Sequence, residues 1–288
     1  MILLLLSPQP LYAGETSAPL TPSITEAYHT DLTSGSAVAS VQIIVPPGRA
    51  GIQPDISLTY SSSGANGICG VGWLMQMDSI QRSTKRGVPA YNSTDTFTAN
   101  INGAGMELVH FAFDQYRAKQ EGAFYRFAFD GTSWVVTDKS GTRYYFGTSA
   151  NSRLEQGSKV FSWHLDKVMD IHGNNMTITY FHDSQIYPLE IIYTGKEGVE
   201  PGENRVLFMY DGRDDTVFDF STNFQVKKGK RLLEIEAYAN GQFVRKYVFT
   251  YTYSTESGRS MLTAVTQYGI DGVSPLPPVT FEYQGGSE

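Results

Sequence analysis

The sequence predicts an all-β protein of antiparallel hairpins with very little helix. Three observations carry this reading. Apolar residues recur with period two over many short stretches, as strands with one buried face require. The 28 Gly, 18 Tyr and 16 Phe among 288 residues suit short strands joined by tight turns. Turn-forming pairs punctuate the alternating stretches: Asp130-Gly131, Ser140-Gly141, His172-Gly173-Asn174, Asp211-Gly212, Asn240-Gly241 and Asp271-Gly272. The net charge of −7 argues against nucleic acid as main partner, because phosphate neutralisation needs surplus Lys and Arg. A single cysteine, Cys69, excludes an intrachain disulfide framework and a Cys-rich zinc site.

Met1 to Leu6 is a short apolar run, and residues 1–13 read as a secretory signal with Ala13 before the cleavage point. No Lys or Arg precedes the run, so an apolar chain end is the alternative. Residues 14–29 read as a flexible, Ser/Thr/Pro-rich lead-in, 30–285 as one β domain, and 286–288 as a tail. No later segment approaches the ~20 apolar residues of a transmembrane helix.

Within the domain, Val45-Pro46-Pro47-Gly48-Arg49-Ala50-Gly51 reads as a Pro-rigidified turn before the alternating strand Ile56 to Ser62. Gly64 to Gly72 is a Gly-rich loop, and a second strand opens at Trp73. Asp114 to Glu121 has helix-forming residues but no apolar stripe, so at most a few helical turns are expected. Phe161, Trp163 and Leu165 form one strand face, as do Met176, Ile178 and Tyr180. Gly195 to Asn204 reads as an exposed loop, and Lys227, Lys228 and Lys230 as a solvated basic cluster. Tyr247, Phe249, Tyr251 and Tyr253 share the last aromatic face. Burial is expected there, because Phe249 lacks the polar handle of a surface-binding Tyr or Trp.

Two phrases, Asp170 to Tyr180 and Arg231 to Tyr247, follow hairpin grammar and resemble the Tyr-Asp and RHS repeats that stack into long sheets. More specific are Val45 to Gly51, Ile56 to Ser62, Gly70-Val71-Gly72-Trp73, Trp134 to Thr142, Tyr145-Phe146-Gly147, Tyr268 to Gly272 and Leu276 to Phe281. On these residues the chain resembles the SpvB-type (virulence plasmid B protein) amino-terminal domain. That domain is shared with the TcaC/TcdB-type B component of insecticidal toxin complexes. The resemblance covers about residues 30 to 285; Val41-Gln42-Ile43-Ile44 departs from it by lacking a proline between the isoleucines.

The resemblance implies an RHS-shell-like segment and a non-catalytic structural role in a secreted, extracellular bacterial toxin. It implies partners too: propeller and RHS shell segments further along a chain, or a C-component toxin protein enclosed with them. The alternatives are the amino-terminal part of an ADP-ribosylating virulence factor, and a stand-alone carbohydrate-binding or adhesion domain.

No catalytic, cofactor-binding or metal residues are expected. Glu234-Ile235-Glu236 matches the bare Glu-x-Glu of ADP-ribosyltransferases, yet no Ser-Thr-Ser strand accompanies it, and strand alternation alone puts both carboxylates on one face. Asp138-Lys139-Ser140-Gly141-Thr142 is a hairpin turn rather than a protease Asp-Ser/Thr-Gly, since Lys139 interrupts it. Gly64 to Gly72 lacks the Lys-Ser/Thr of a phosphate loop and reads as a turn with close backbone approach. Cys69 in that loop reads as a small packed residue. His164, His172 and His182 fit no standard ligand spacing. Asp211-Gly212-Arg213-Asp214-Asp215 reads as an exposed acidic turn, with weak calcium binding as the alternative.

Overall fold

A computed structural model describes residues 26–30 and 35–283. It is an all-β, antiparallel structure. The secretory signal and tail expected at 1–13 and 286–288 lie outside the described residues. So does most of the lead-in, although its last residues belong to a strand.

The first strands are β1 (Glu26–Thr30), β2 (Ala37–Ile43), β3 (Ile56–Ser61), β4 (Asn66–Gly67), β5 (Gly70–Val71) and β6 (Trp73–Met75). Strands β1, β2, β3 and β6 form a four-stranded sheet, and β4 pairs β5 in the Gly-rich loop. Alternation is strict: Ala37, Ala39, Val41 and Ile43 on β2, and Ile56, Leu58 and Tyr60 on β3, are buried while their neighbours are not.

Next come β7 (Ser79–Arg82), β8 (Phe97–Ile101), β9 (Ala104–Ala112), β10 (Gln115–Ala118), β11 (Arg126–Phe129), β12 (Trp134–Thr137) and β13 (Arg143–Phe146). A 3-10 turn, Ala150–Ser152, precedes β14 (Arg153–Gln156) and the long β15 (Lys159–Met169). Each strand from β7 to β13 pairs with the next, and β15 then pairs with both β13 and β7. Strands β7 to β13 together with β15 thus close an antiparallel barrel. The barrel is filled rather than hollow. Phe97 lies 5.0 Å from Trp134 and 5.9 Å from Trp163 between ring centroids, and Phe129 stacks on Trp134 at 4.5 Å. Closure removes the sheet edges that an open set of such short strands would expose.

The far half of β15 pairs β16 (Asn174–Asp183), which opens a meander of β17 (Gln185–Lys196), β18 (Asn204–Asp219), β19 (Val226–Ala239), β20 (Gln242–Tyr253), β21 (Ser260–Tyr268) and β22 (Val279–Thr280). Its buried face, with Ile178, Tyr193, Val206, Ile235, Tyr247 and Val265, shares one core with the four-stranded sheet. Polar tips tie the two layers. The Tyr247 hydroxyl donates to the Ile44 carbonyl at 3.0 Å, and the Tyr193 hydroxyl donates to the Pro46 carbonyl at 2.8 Å. Asn204 donates to the Pro47 carbonyl. The Pro-rich turn foreseen at 45–51 is therefore pinned on the sheet beneath it.

Three expectations need correction. The segment Asp114 to Glu121 contains the strand β10 rather than helix, because Tyr116 and Ala118 gain more by packing in the barrel than propensity gives. Residues 26–29 of the expected lead-in pair with β2 as β1. Asp211-Gly212 is no turn: it lies inside β18, which carries an extra stretch between Gly212 and Val217.

Candidate functional site

The most elaborate polar constellation grows from that extra stretch of β18. A bulge re-aims side chains out of the ladder, and here it sends Arg213 into the junction between the two sheets. The Arg213 side chain is fully buried. Its guanidinium donates to Asp215 at 2.9 and 2.7 Å, to the Gly67 carbonyl at 2.6 Å, and to the Asn66 side chain. Asp215 also accepts from the Asn66 amide at 2.8 Å, the Ser260 backbone at 2.6 Å and the Ser260 hydroxyl at 2.7 Å. Burial alone would raise the Asp215 pKa, but the bonds from Arg213, Ser260 and Asn66 reverse this and hold it well below the usual carboxylate range. The expected exposed acidic turn is thus overturned: two of its five residues form a buried ion pair that clasps β4, β18 and β21 together.

The Gly-rich loop is the other half of the clasp. A side chain at Gly70 would meet the Ser260 carbonyl at 2.7 Å, and one at Gly67 would meet the Trp73 carbonyl at 2.5 Å. Glycine is required at Gly70 by that approach and by its φ of +90°. The Ile68 carbonyl accepts from the Leu232 backbone on β19, so the loop docks edge-on against the meander. The close backbone approach read from the sequence is present here. Cys69 is fully buried in this loop, and burial pushes its thiol up to about 12 against a smaller lowering by Arg213. Its burial and raised thiol fit the small packed residue expected from the sequence.

A concave site lies where the barrel meets the sandwich. It is a cleft of about 340 Å³, floored by Leu165, Val168, Met176 and Ile178 and rimmed by Asp55, Asp78 and Asn102. Asp78 accepts from the Asn102 backbone at 2.9 Å. Its desolvation raises the carboxyl to about 6, against the lowering by that bond, with Asp55 adding repulsion.

The remaining sequence candidates are placed apart. Glu234 and Glu236 share a face of β19, as alternation required, where Glu234 pairs Lys246 at 3.4 Å and Glu236 accepts from Tyr238 at 2.7 Å. His164 packs against Tyr180, and burial lowers its pKa to about 4, with His182 adding to the shift. His182 instead engages the Asn151 carbonyl, and His172 sits exposed in its turn. Among the described residues, no three His, Cys, Asp or Glu side chains gather as a metal site. Lys228 and Lys230 of the basic cluster face Asp219 and Asp183.

Sequence reasoning missed Asp166. Its Oδ2 accepts from the Thr148 backbone and hydroxyl, the Ser149 backbone and the Ser152 hydroxyl, organising the chain between β13 and β14. No local pattern signals it, because its partners come from a different strand connection.

A filled barrel, a two-layer sandwich sharing β15, and a polar site devoted to clasping strands define a structural β module. The chain belongs to the family described as Salmonella virulence plasmid 65kDa B protein, which matches residues 32–271. Mono(ADP-ribosyl)transferase SpvB of Salmonella typhimurium is 24% identical over 278 residues, covering 86% of this chain and 42% of that protein. The chain therefore spans less than half the length of these relatives. The N-terminal domain of effector protein SpvB from Salmonella typhimurium strain LT2 matches with a TM-score of 0.66 at 18% identity, over 79% of this chain and 99% of that one. The crystal structure of TcdB2-TccC3-TEV matches with a TM-score of 0.79 at 20% identity, over 96% of this chain and 17% of that one. These likenesses show a shared fold. The matched SpvB region is that protein's amino-terminal domain, not its transferase domain.

Proposed function

We propose that the chain is a non-catalytic structural module of a secreted bacterial toxin, helping to enclose or deliver a toxic polypeptide. The observation that supports this most is the fold shared with TcdB2-TccC3 over nearly the whole chain. The clasp agrees with it, since Arg213 and Asp215 spend their hydrogen-bonding capacity on each other and on Asn66, Gly67 and Ser260. In this reading residues 1–13 direct export, 30–285 form the module, and its partners are shell segments or a C-component protein. The test replaces the matching amino-terminal part of TcdB2 with residues 30–285 and assembles the chimera with TccC3. The expected result is a particle that keeps the enclosed polypeptide resistant to added protease. A chimera that folds and assembles yet leaves that polypeptide open to digestion contradicts the proposal.

A second reading, the amino-terminal part of an ADP-ribosylating virulence factor, draws on the identity to SpvB. It differs only in what the module is joined to. In both readings the chain itself transfers no ADP-ribose, so labelled NAD turned over by the purified protein and lost in Glu236→Gln would refute both.

A further inference from the structure

The outer face of the barrel carries a row of like charges that folding does not explain. Arg117 on β10 stands opposite Val109 on β9. The register Gln115↔Ala128, Tyr116↔Phe127 brings Arg117 beside Arg126 at the next step. Arg126 pairs with Thr137, and Thr137 with Arg143. Lys139 extends the row from the turn between β12 and β13. All four cations are exposed, and among the described residues none has a carboxylate within 4.0 Å. Two of the nearby acids are engaged elsewhere. Glu107 bonds Lys85 and Lys119, and Asp138 accepts from the Ser140 and Thr142 backbones of its own turn. Glu121 stands at a small cleft with Arg117 and Arg126. Like charges directly across a sheet destabilise it, so this row in a protein of net charge −7 points outward, to an anionic surface.

Aromatic side chains are interleaved with these cations. Phe113, at the turn between β9 and β10, is 97% exposed, Phe111 63% and Phe124 59%. Phe113 and Phe124 hold φ of +48° and +57°, a left-handed region that bulky residues rarely adopt. The Arg117 guanidinium lies 4.4 Å from the Phe111 ring centre, and the Lys139 ammonium 4.1 Å from that of Phe124. Exposed apolar side chains rimmed by cations match the chemistry of an anionic lipid–water interface, where rings enter the acyl boundary and cations meet headgroups.

We infer that this barrel face docks on an anionic bilayer, with Phe111 and Phe113 entering the lipid and Arg117, Arg126, Arg143 and Lys139 meeting the headgroups. The apolar tip at Phe113 favours lipid over a polyanion, which offers no hydrocarbon to receive it. The surface is independent of the shell role.

Sedimentation with phosphatidylcholine vesicles containing about 30% phosphatidylserine tests the inference. The protein should partition onto these vesicles at low salt, and much less onto phosphatidylcholine alone. Phe113→Ser and the double substitution Arg117→Gln/Arg126→Gln should each weaken partitioning about tenfold without lowering the melting temperature. In Phe113→Trp, the introduced indole should become inaccessible to aqueous quencher on adding the anionic vesicles. Equal binding to neutral vesicles, or unchanged binding by Phe113→Ser, overturns the inference. So does capture by oligothymidine with the vesicles ignored, which would assign the face to single-stranded nucleic acid.

Discussion

Arg213, fully buried, and Asp78, half-buried, are two charges with opposite consequences. Arg213 is balanced by Asp215 and by the carbonyls around it, so its removal strands a buried carboxylate. Arg213→Met is expected to cost about 3–5 kcal/mol in urea unfolding at neutral pH. Because the Asp215 pKa is depressed in the fold, its contribution is present above the unfolded value near 4 and is lost as pH falls below it. The gap between wild type and Arg213→Met should therefore narrow in strong acid; an equal gap at pH 7 and in strong acid would contradict this account.

Asp78 runs the other way. Its carboxyl is raised to about 6, so the native state binds its proton more tightly than the unfolded chain does. The associated stability is present below the unfolded value near 4 and is lost as pH rises through 6. Asp78→Asn keeps an acceptor for the Asn102 amide and removes the charge. It should raise stability by about 1–3 kcal/mol at pH 8 and change it little at pH 4. His164, lowered to about 4, has the opposite slope: its contribution is present above about 6.5 and is lost as pH falls toward 4. Only comparison of the single variant with wild type isolates Asp78.

At the scale of elements, the turns repeat one another. In Asp138-Lys139-Ser140-Gly141-Thr142 and in Asp170-Ile171-His172-Gly173-Asn174, the Asp carboxylate accepts from the backbones two and four residues on. In both, Gly donates back to the Asp carbonyl with positive φ. The shared pattern is legible in sequence, since short polar side chains and glycine answer local geometry. Asn240-Gly241 is equally legible, with both residues at positive φ as a two-residue hairpin requires. The aromatic row on β20 was legible only in part. Tyr247 and Phe249 are buried, but Tyr253, beyond the register shift that follows Thr250, is 37% exposed. Phe249→Ala is expected to cost about 3–5 kcal/mol, whereas Tyr253→Ala should cost about 1 kcal/mol or less. Equal melting temperatures for the two variants would show that the row is a surface platform instead.

For the whole molecule, β15 is the decisive strand, since it closes the barrel by pairing β7 along its near half and β13 along its far half, and that far half also starts the meander. Two bodies that share a strand and one continuous core should unfold together. Trp163→Leu, at the heart of the barrel, is therefore expected to lower hydrogen-exchange protection on β18 and β20 as well as on β8 and β12. Loss confined to the barrel strands would mean two independent domains.

The sequence by itself determined the all-β class, most of the hairpin turns, the buried faces of β3, β15 and β16, part of that of β20, and the glycine loop's close approach. Each of these is set by residues near one another along the chain. Only the tertiary structure decided that β13 returns to β15 and that a four-stranded sheet covers the meander. It also decided that an acidic run read as a turn becomes a buried clasp. Those outcomes depend on pairings such as Asn66 with Asp215 and Tyr247 with Ile44. Period and propensity act over a few residues and carry no information about which distant partner arrives.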